Sequence, residues 1–200
     1  MPRSDSSFIP LLAHPATPNE AVRRLAARAE LVSPDSLRLE YVLEADPRQV
    51  RIPPAVADDG RTDRLWAHTC FEAFIGVEDS AQYLELNFSP STQWAAYRFE
   101  SYRQGMVPAV LGTAPRLALR RGKKRLELQA EVSLGGTLAA PPREAKALEI
   151  RRLRLALSTV VEDREGGLSY WALQHPPGRP DFHHPQSFSL ALEFPRTDPT

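Results

Sequence analysis

Apolar residues in this chain recur at every second position more often than at helical spacing. That period describes β-strands with one buried face. Leu37, Leu39, Tyr41 and Leu43 alternate with Arg38, Glu40, Val42 and Glu44. Leu126, Leu128, Ala130 and Val132 alternate with Glu127, Gln129 and Glu131, and Leu153, Leu155, Leu157 and Thr159 with Arg152, Arg154, Ala156 and Ser158. Turn-forming groups separate these runs: Pro34-Asp35-Ser36, Arg121-Gly122-Lys123, Gly135-Gly136 and Glu165-Gly166-Gly167. Proline adds to the constraint. It makes up 19 of 200 residues, and it breaks helices and central strands alike, so short segments joined by stiff loops are expected. Many short strands with turns between them predict a sandwich or a barrel.

One segment is two-sided. Residues 19–32 (NEAVRRLAARAELV) contain good helix formers behind an N-cap candidate, Asn19. They also alternate, and they run through Ser-Pro-Asp-Ser into a strand. A strand from about Arg23 is the reading adopted. Pro53 to Arg64 reads as a polar loop, and one helical turn is expected near Arg143–Leu148. No repeat and no domain linker is visible, so the whole chain, 1–200, is expected to form one domain.

Charge narrows the function classes. Lys+Arg and Asp+Glu both number 25, which argues against nucleic acid and against a membrane surface as partners. The single cysteine, Cys70, excludes an internal disulfide and a Cys-rich zinc module. No apolar run is long enough for a membrane helix, and the start of the chain does not read as a secretory leader, so a cytoplasmic location is expected. The basic run Arg120–Lys124 reads as a solvated hairpin turn. No Gly-x-Ser-x-Gly elbow, phosphate loop or dinucleotide fingerprint is present.

The most informative stretch is Leu65–Met106, LWAHTCFEAFIGVEDSAQYLELNFSPSTQWAAYRFESYRQGM. Two turn signals, at 78–81 and 89–92, divide it into a three-stranded meander. Pairing Val77 with Gln82 sets Phe71 opposite Phe88. Pairing Phe88 with Gln93 around the second turn then makes Phe71, Ala73, Ile75, Leu84, Leu86, Phe88, Ala95, Tyr97 and Phe99 the core face. The opposite face carries Cys70, Glu72, Phe74, Tyr83, Glu85, Asn87, Trp94 and Arg98, with Glu72, Asn87 and Trp94 in one row. An aromatic ring beside a carboxylate and an amide suits a sugar, whose apolar ring face stacks while its hydroxyls bond. The plainer alternative is a solvated face with a Glu85–Arg98 ion pair.

A second stretch, Leu168–Ser189 (LSYWALQHPPGRPDFHHPQSFS), is expected to run from a strand into a rigid, proline-rich loop, with the last strand beginning near Ser187. The loop presents His175, Arg179, Asp181, His183 and His184, as a structural loop, a metal site or a ligand-contacting rim. Neighbouring histidines on an extended segment point opposite ways, which weakens the metal reading. A Cys70–His68 nucleophile pair and a Glu72–Glu85 hydrolytic pair are weaker still.

With their flanking residues, the two blocks Trp66–Gly105 and Tyr170–Phe188 resemble the bacterial DOMON-like proteins, which are grouped with the family 9 carbohydrate-binding modules. The resemblance runs from about Phe8 to Phe194. It implies an all-β fold, a single antiparallel β-sandwich of about ten strands with immunoglobulin-like architecture, and a core at about 8–194. Relatives in the wider superfamily bind sugars or haem in a pocket of the sandwich. Trp66, Glu72, Asn87 and Trp94 resemble the aromatic-plus-acid motif of the carbohydrate modules. Haem-binding relatives use Met with His or Lys, for which this chain offers Met106 and its histidines.

The expectation is a non-catalytic, monomeric or weakly dimeric β-sandwich that binds a small ligand, most readily a saccharide. Trp66 and Trp94 would stack on it, Glu72, Asn87 and Arg98 would bond it, and His175, Asp181 and His183 would rim the site. No cofactor is required. Haem binding, or a protein-interaction module using the aromatic face, are the alternatives.

Overall fold

The computed structural model describes residues 7–33, 35–58, 60–135 and 152–193. The helical turn expected near 143–148 lies outside them. In chain order the strands are β1 (Ile9–Pro10), β2 (Leu12–Ala13), β3 (Val22–Ser33), β4 (Ser36–Ala45), β5 (Val50–Arg51), β6 (Cys70–Val77), β7 (Tyr83–Phe88), β8 (Trp94–Phe99), β9 (Val107–Pro108), β10 (Arg116–Arg121), β11 (Arg125–Ser133), β12 (Arg152–Asp163), β13 (Leu168–Ala172) and β14 (Leu190–Glu193). Ten of these run four residues or more, and the other four are two-residue pieces. Short 3₁₀ turns stand at Leu65–Ala67 and Pro185–Ser187.

The strands form two antiparallel sheets packed as a β-sandwich. One has five strands in the order β1-β3-β4-β11-β10. The other has nine: the path β2-β13-β12-β6-β7-β8-β9, with β14 and β5 also paired to β12. The segment at 19–32 is indeed strand. Its alternation pays off because β3 pairs with β4 along nearly its whole length and turns Leu25, Ala27 and Ala29 into the inter-sheet core. There they meet Leu37, Leu39, Tyr41 and Leu43 from β4, Leu126, Leu128, Ala130 and Val132 from β11, and Leu153, Leu155 and Leu157 from β12. Each such leucine or valine contributes roughly 1.5–3 kcal/mol through removal from water, and each alanine less. The basic run forms the β10–β11 hairpin, where Gly122 N–H donates to the Arg125 carbonyl at 2.7 Å.

The nine-stranded sheet is covered on both faces. Every residue of β7, and all of β6 but Val77, is buried. Its outer face holds a second apolar cluster: Leu65, Cys70, Phe74, Tyr83, Ala95, Tyr97, Phe99, Ala156, Val160, Ala172 and Phe182. The aromatic face expected to offer itself as a docking patch is therefore roofed, with Phe74 1% and Tyr83 5% exposed.

Two expectations need correction. The last strand begins at Leu190, after the Pro185–Ser187 turn. The β7–β8 register is also one residue from the expected one: Phe88 pairs with Trp94, Leu86 with Ala96 and Leu84 with Arg98. The cause is the length of the turn. Ser89 N–H donates to the Gln93 carbonyl at 2.9 Å, and Thr92 N–H to the Ser89 carbonyl at 3.0 Å, so the loop is Pro90-Ser91-Thr92 rather than four residues. Thr92 closes it at φ 76°, the left-handed position that a three-residue hairpin requires. One residue of slip exchanges the two faces of β8. Ala95, Tyr97 and Phe99 join Glu72, Glu85 and Asn87, while Trp94, Ala96 and Arg98 turn to the other side.

Candidate ligand-binding cavity

Three neighbouring strands deliver the polar floor of the outer face. One cross-strand row reads Ala172, Ser158, Glu72, Asn87 and Ala95, and the next Ala156, Phe74, Glu85 and Tyr97. Glu72 and Glu85 thus lie diagonally. Above them is a cavity of about 430 Å³, lined by Trp66, Glu72, Glu85, Phe99, Arg103, Met106, Val160, Leu168, Tyr170, Phe182 and His183, with Ala67 and Pro180. The roof is the proline-rich segment after β13. It is tied down by His175 Nε2, 2.8 Å from the Leu12 carbonyl, and by Asp181, which accepts from Arg103 Nη2 at 2.8 Å, while Ser187 Oγ, donating to the Asp181 carbonyl at 3.0 Å, braces it internally.

The aromatic walls are themselves braced. The Leu65–Ala67 turn sets Trp66 edge-on to Tyr97, with centroids 5.6 Å apart, and the Tyr97 hydroxyl donates to Asp63 at 2.7 Å. Tyr170 meets Phe182 edge-to-face at 5.9 Å, and Phe99 stacks on Tyr83 at 4.8 Å. Arg103 and Met106 come from the loop after β8. Gly105 there has φ 65°, and a Cβ on it would stand 2.6 Å from Glu100 Cγ, so the turn that carries both residues needs glycine.

A hydrogen-bond chain fixes His183. Arg103 N–H donates to Tyr83 Oη at 3.2 Å, and Tyr83 Oη shares a hydrogen bond with His183 Nδ1 at 2.8 Å. The His183 Nε2 faces Glu85 Oε2 at 3.7 Å, too far for a hydrogen bond. Burial, reinforced by the Arg103 charge, holds His183 down at about 4. Burial pushes the Glu85 carboxyl up, against the Asn87 Nδ2 bond to its Oε1 (2.8 Å) and the Arg103 charge. Glu72 is raised well above the usual carboxylate range by burial and then by the Glu85 charge. Glu72 is only 3% exposed, and its Oε1 has no hydrogen-bond partner among the described residues, nor has the neighbouring Ser158 Oγ. At the mouth, Asp181 binds Arg103 Nη2 at 2.8 Å and the Tyr102 hydroxyl. Burial would raise the Asp181 carboxyl, but these bonds outweigh it and hold it low.

Of the residues singled out in the sequence, Trp66, Glu72 and His183 line the cavity. Asn87 is wholly buried beside it and holds Glu85. Asp181 braces Arg103 at the rim. Trp94 packs against the inter-sheet core, and Arg98 shares its face, exposed, so the row of Glu72, Asn87 and Trp94 does not form. His175 backs Phe182, with ring centroids 6.3 Å apart, and does not line the cavity. Glu85, rather than pairing with Arg98, faces His183. Arg103, Phe99, Tyr170 and Phe182 were missed as site residues, although the one-residue register change alone would have brought Phe99 to the site. His68 Nδ1 lies 2.8 Å from Glu162, so His68 and Cys70 form no nucleophile pair. Burial first, and then the Glu72 charge, push the Cys70 thiol far up. No cluster of metal-ligating side chains exists among the described residues.

No protein-family model matches the chain, and no curated protein matches it. Solved structures do. A Bacteroides uniformis protein described as carbohydrate-binding has 16% sequence identity and a TM-score of 0.67, over 95% of this chain and 87% of that one. A family 9 carbohydrate-binding module of Caldicellulosiruptor kristjanssonii, in complex with glucose, has 8% identity and a TM-score of 0.53, over 98% and 88% of the two chains. A cellotriose complex of a family 9 module from that organism has 10% identity and a TM-score of 0.51, over 97% and 85%. The likeness establishes the fold. It is a sandwich like that of the family 9 modules.

Proposed function

We propose that the protein is a non-catalytic carbohydrate-binding sandwich whose site is the roofed cavity over Glu72 and Glu85. The observation that carries this reading is the make-up of one enclosure. Flat rings (Trp66, Tyr170, Phe99, Phe182) stand over buried carboxyls, one of which has an oxygen with no partner among the described residues. A sugar presents an apolar ring face to the first and hydroxyl donors to the second. The volume lies in the ordinary ~300–1,000 Å³ range of small-ligand sites. The glucose and cellotriose complexes of the similar folds support the same ligand class. A closer relation to the DOMON-like proteins rests on the two sequence blocks that supply this cavity's floor and roof.

The haem reading draws on Met106 and His183, which line the same cavity. His183 has Nδ1 bonded to Tyr83 and Nε2 unbonded, 3.7 Å from Glu85, but the two buried carboxyls beside it suit hydroxyl or ammonium donors rather than an apolar porphyrin face. No Soret shift is expected on adding haem. Calorimetric titration of the full chain with glucose, cellobiose, N-acetylglucosamine and glucosamine is expected to give saturable binding that Trp66→Ala abolishes and Trp94→Ala retains. Absence of binding by every sugar overturns the proposal.

A further inference from the structure

Charge in the cavity is unbalanced. Glu72 and Glu85 line it and Asp181 stands at its mouth, against one guanidinium, that of Arg103. Arg103 already spends its Nη2 on Asp181 at 2.8 Å, and its backbone N–H on Tyr83. The other basic group facing the site, His183, is neutral, with Nδ1 bonded to Tyr83 and Nε2 beyond hydrogen-bond distance of Glu85. The remaining polar neighbours of the floor are uncharged: Ser158 and Asn87 beside Glu72, and Tyr83 and Tyr97 beside Glu85. Glu72 Oε1 and Ser158 Oγ stand in one row, both buried and both without a partner among the described residues. A buried carboxylate with nothing to bond is costly, and a group that brings both hydrogens and positive charge relieves that cost most. The walls favour the same kind of group. Trp66, Phe99, Tyr170 and Phe182 present π-faces and edges, and such rings attract an ammonium ion.

We propose that the preferred ligand of this cavity is a saccharide bearing a free amino group, whose ammonium sits against the Glu72 and Glu85 carboxylates. This rests on the carbohydrate-binding reading and goes beyond it. In the free protein burial raises both carboxyls, and the Glu85 charge raises Glu72 further, so each is biased toward keeping a proton. The ammonium takes over that proton's role, so binding an amino sugar releases a proton to solvent, whereas binding a neutral sugar leaves it in place. An N-acetyl group removes the ligand charge and with it the advantage.

The experiment is calorimetry at about pH 6, below the ~7.7–8.0 range of an α-amino group, with glucosamine, glucose, N-acetylglucosamine and ethanolamine. Each titration is run in two buffers of different ionisation enthalpy. Glucosamine is expected to bind at least about tenfold more tightly than the two neutral sugars, a difference of ~1.4 kcal/mol, and to release a proton that glucose does not. Glu72→Gln and Glu85→Gln keep the side-chain shape and are expected to bring the ratio close to one. Should either variant fail to fold, proton release by the natural chain decides alone. Equal affinity for glucose and glucosamine overturns this inference and leaves the carbohydrate reading standing. A preference unchanged in both folded variants overturns the placement of the ammonium. Ethanolamine binding as tightly as glucosamine overturns the saccharide part, and no binding by any sugar overturns both readings.

Discussion

His183 is an ordinary imidazole held neutral by where it sits. The rings of Phe74 and Phe99 pack on it at 4.9 and 5.0 Å, and Tyr83 takes its Nδ1. Its folded value of about 4 lies below the free value of 6.5. The neutral form therefore stabilises the fold fully above pH 6.5, and that contribution is lost as pH falls toward 4. The loss is on the order of 2–3 kcal/mol. Urea titrations from pH 7 down to pH 4 should show it, and His183→Gln should flatten the profile across that window. Glu72 acts with the opposite sign. Its folded value is raised, so its protonated form favours the fold below about 4.5, and the contribution is lost as pH rises through the folded value. Glu72→Gln is expected to raise the melting temperature, with a gain larger at pH 8 than at pH 4. Equal gains at both would show that the carboxyl does not titrate with folding.

At the scale of elements, the alternating runs told most of the story. β3, β4, β11 and β12 could be read from their period because a half-buried strand must alternate. β6 and β7 were readable too, with Phe71 opposite Phe88 as expected. β8 was not, since its register depends on a turn whose left-handed position is filled by Thr92, a residue that gives no signal for it. Thr92→Gly places the residue suited to φ 76° there and is expected to stabilise the chain by about 0.5–1 kcal/mol in urea melts. A loss of stability would mean that the turn is not of this kind. The slip explains the site directly: Phe99 and Tyr97 replaced Trp94 and Arg98. Arg103 could not have been found by strand patterning, because it sits in a loop set by a positive-φ glycine two residues on.

For the molecule as a whole, the nine-stranded sheet works as a middle layer. One face seals the sandwich, and the other, under its roof, is both a second core and a cavity floor. Cys70 lies in that second core with no exposed surface, and its burial keeps it protonated. Its modification by a thiol reagent is expected to follow unfolding, slowing as stability rises, with the same dependence on denaturant as the loss of structure. Fast labelling in native buffer would place the thiol outside the protected layer. The sequence could not announce this double burial. Alternation marks one greasy face, and the other face reads as mixed polar until Leu65 and Phe182, far away in the chain, close over it.

That roof is assembled from segments that carry none of the inter-sheet packing. The stretch from His175 to Ser187 is held to the frame by bonds from His175 to Leu12, Asp181 to Arg103 and His183 to Tyr83. Substitutions at its exposed positions, away from Phe182 and His183, can therefore reshape which guest is admitted while the inter-sheet packing is untouched, so descendants of one frame can diverge in diet before they diverge in architecture.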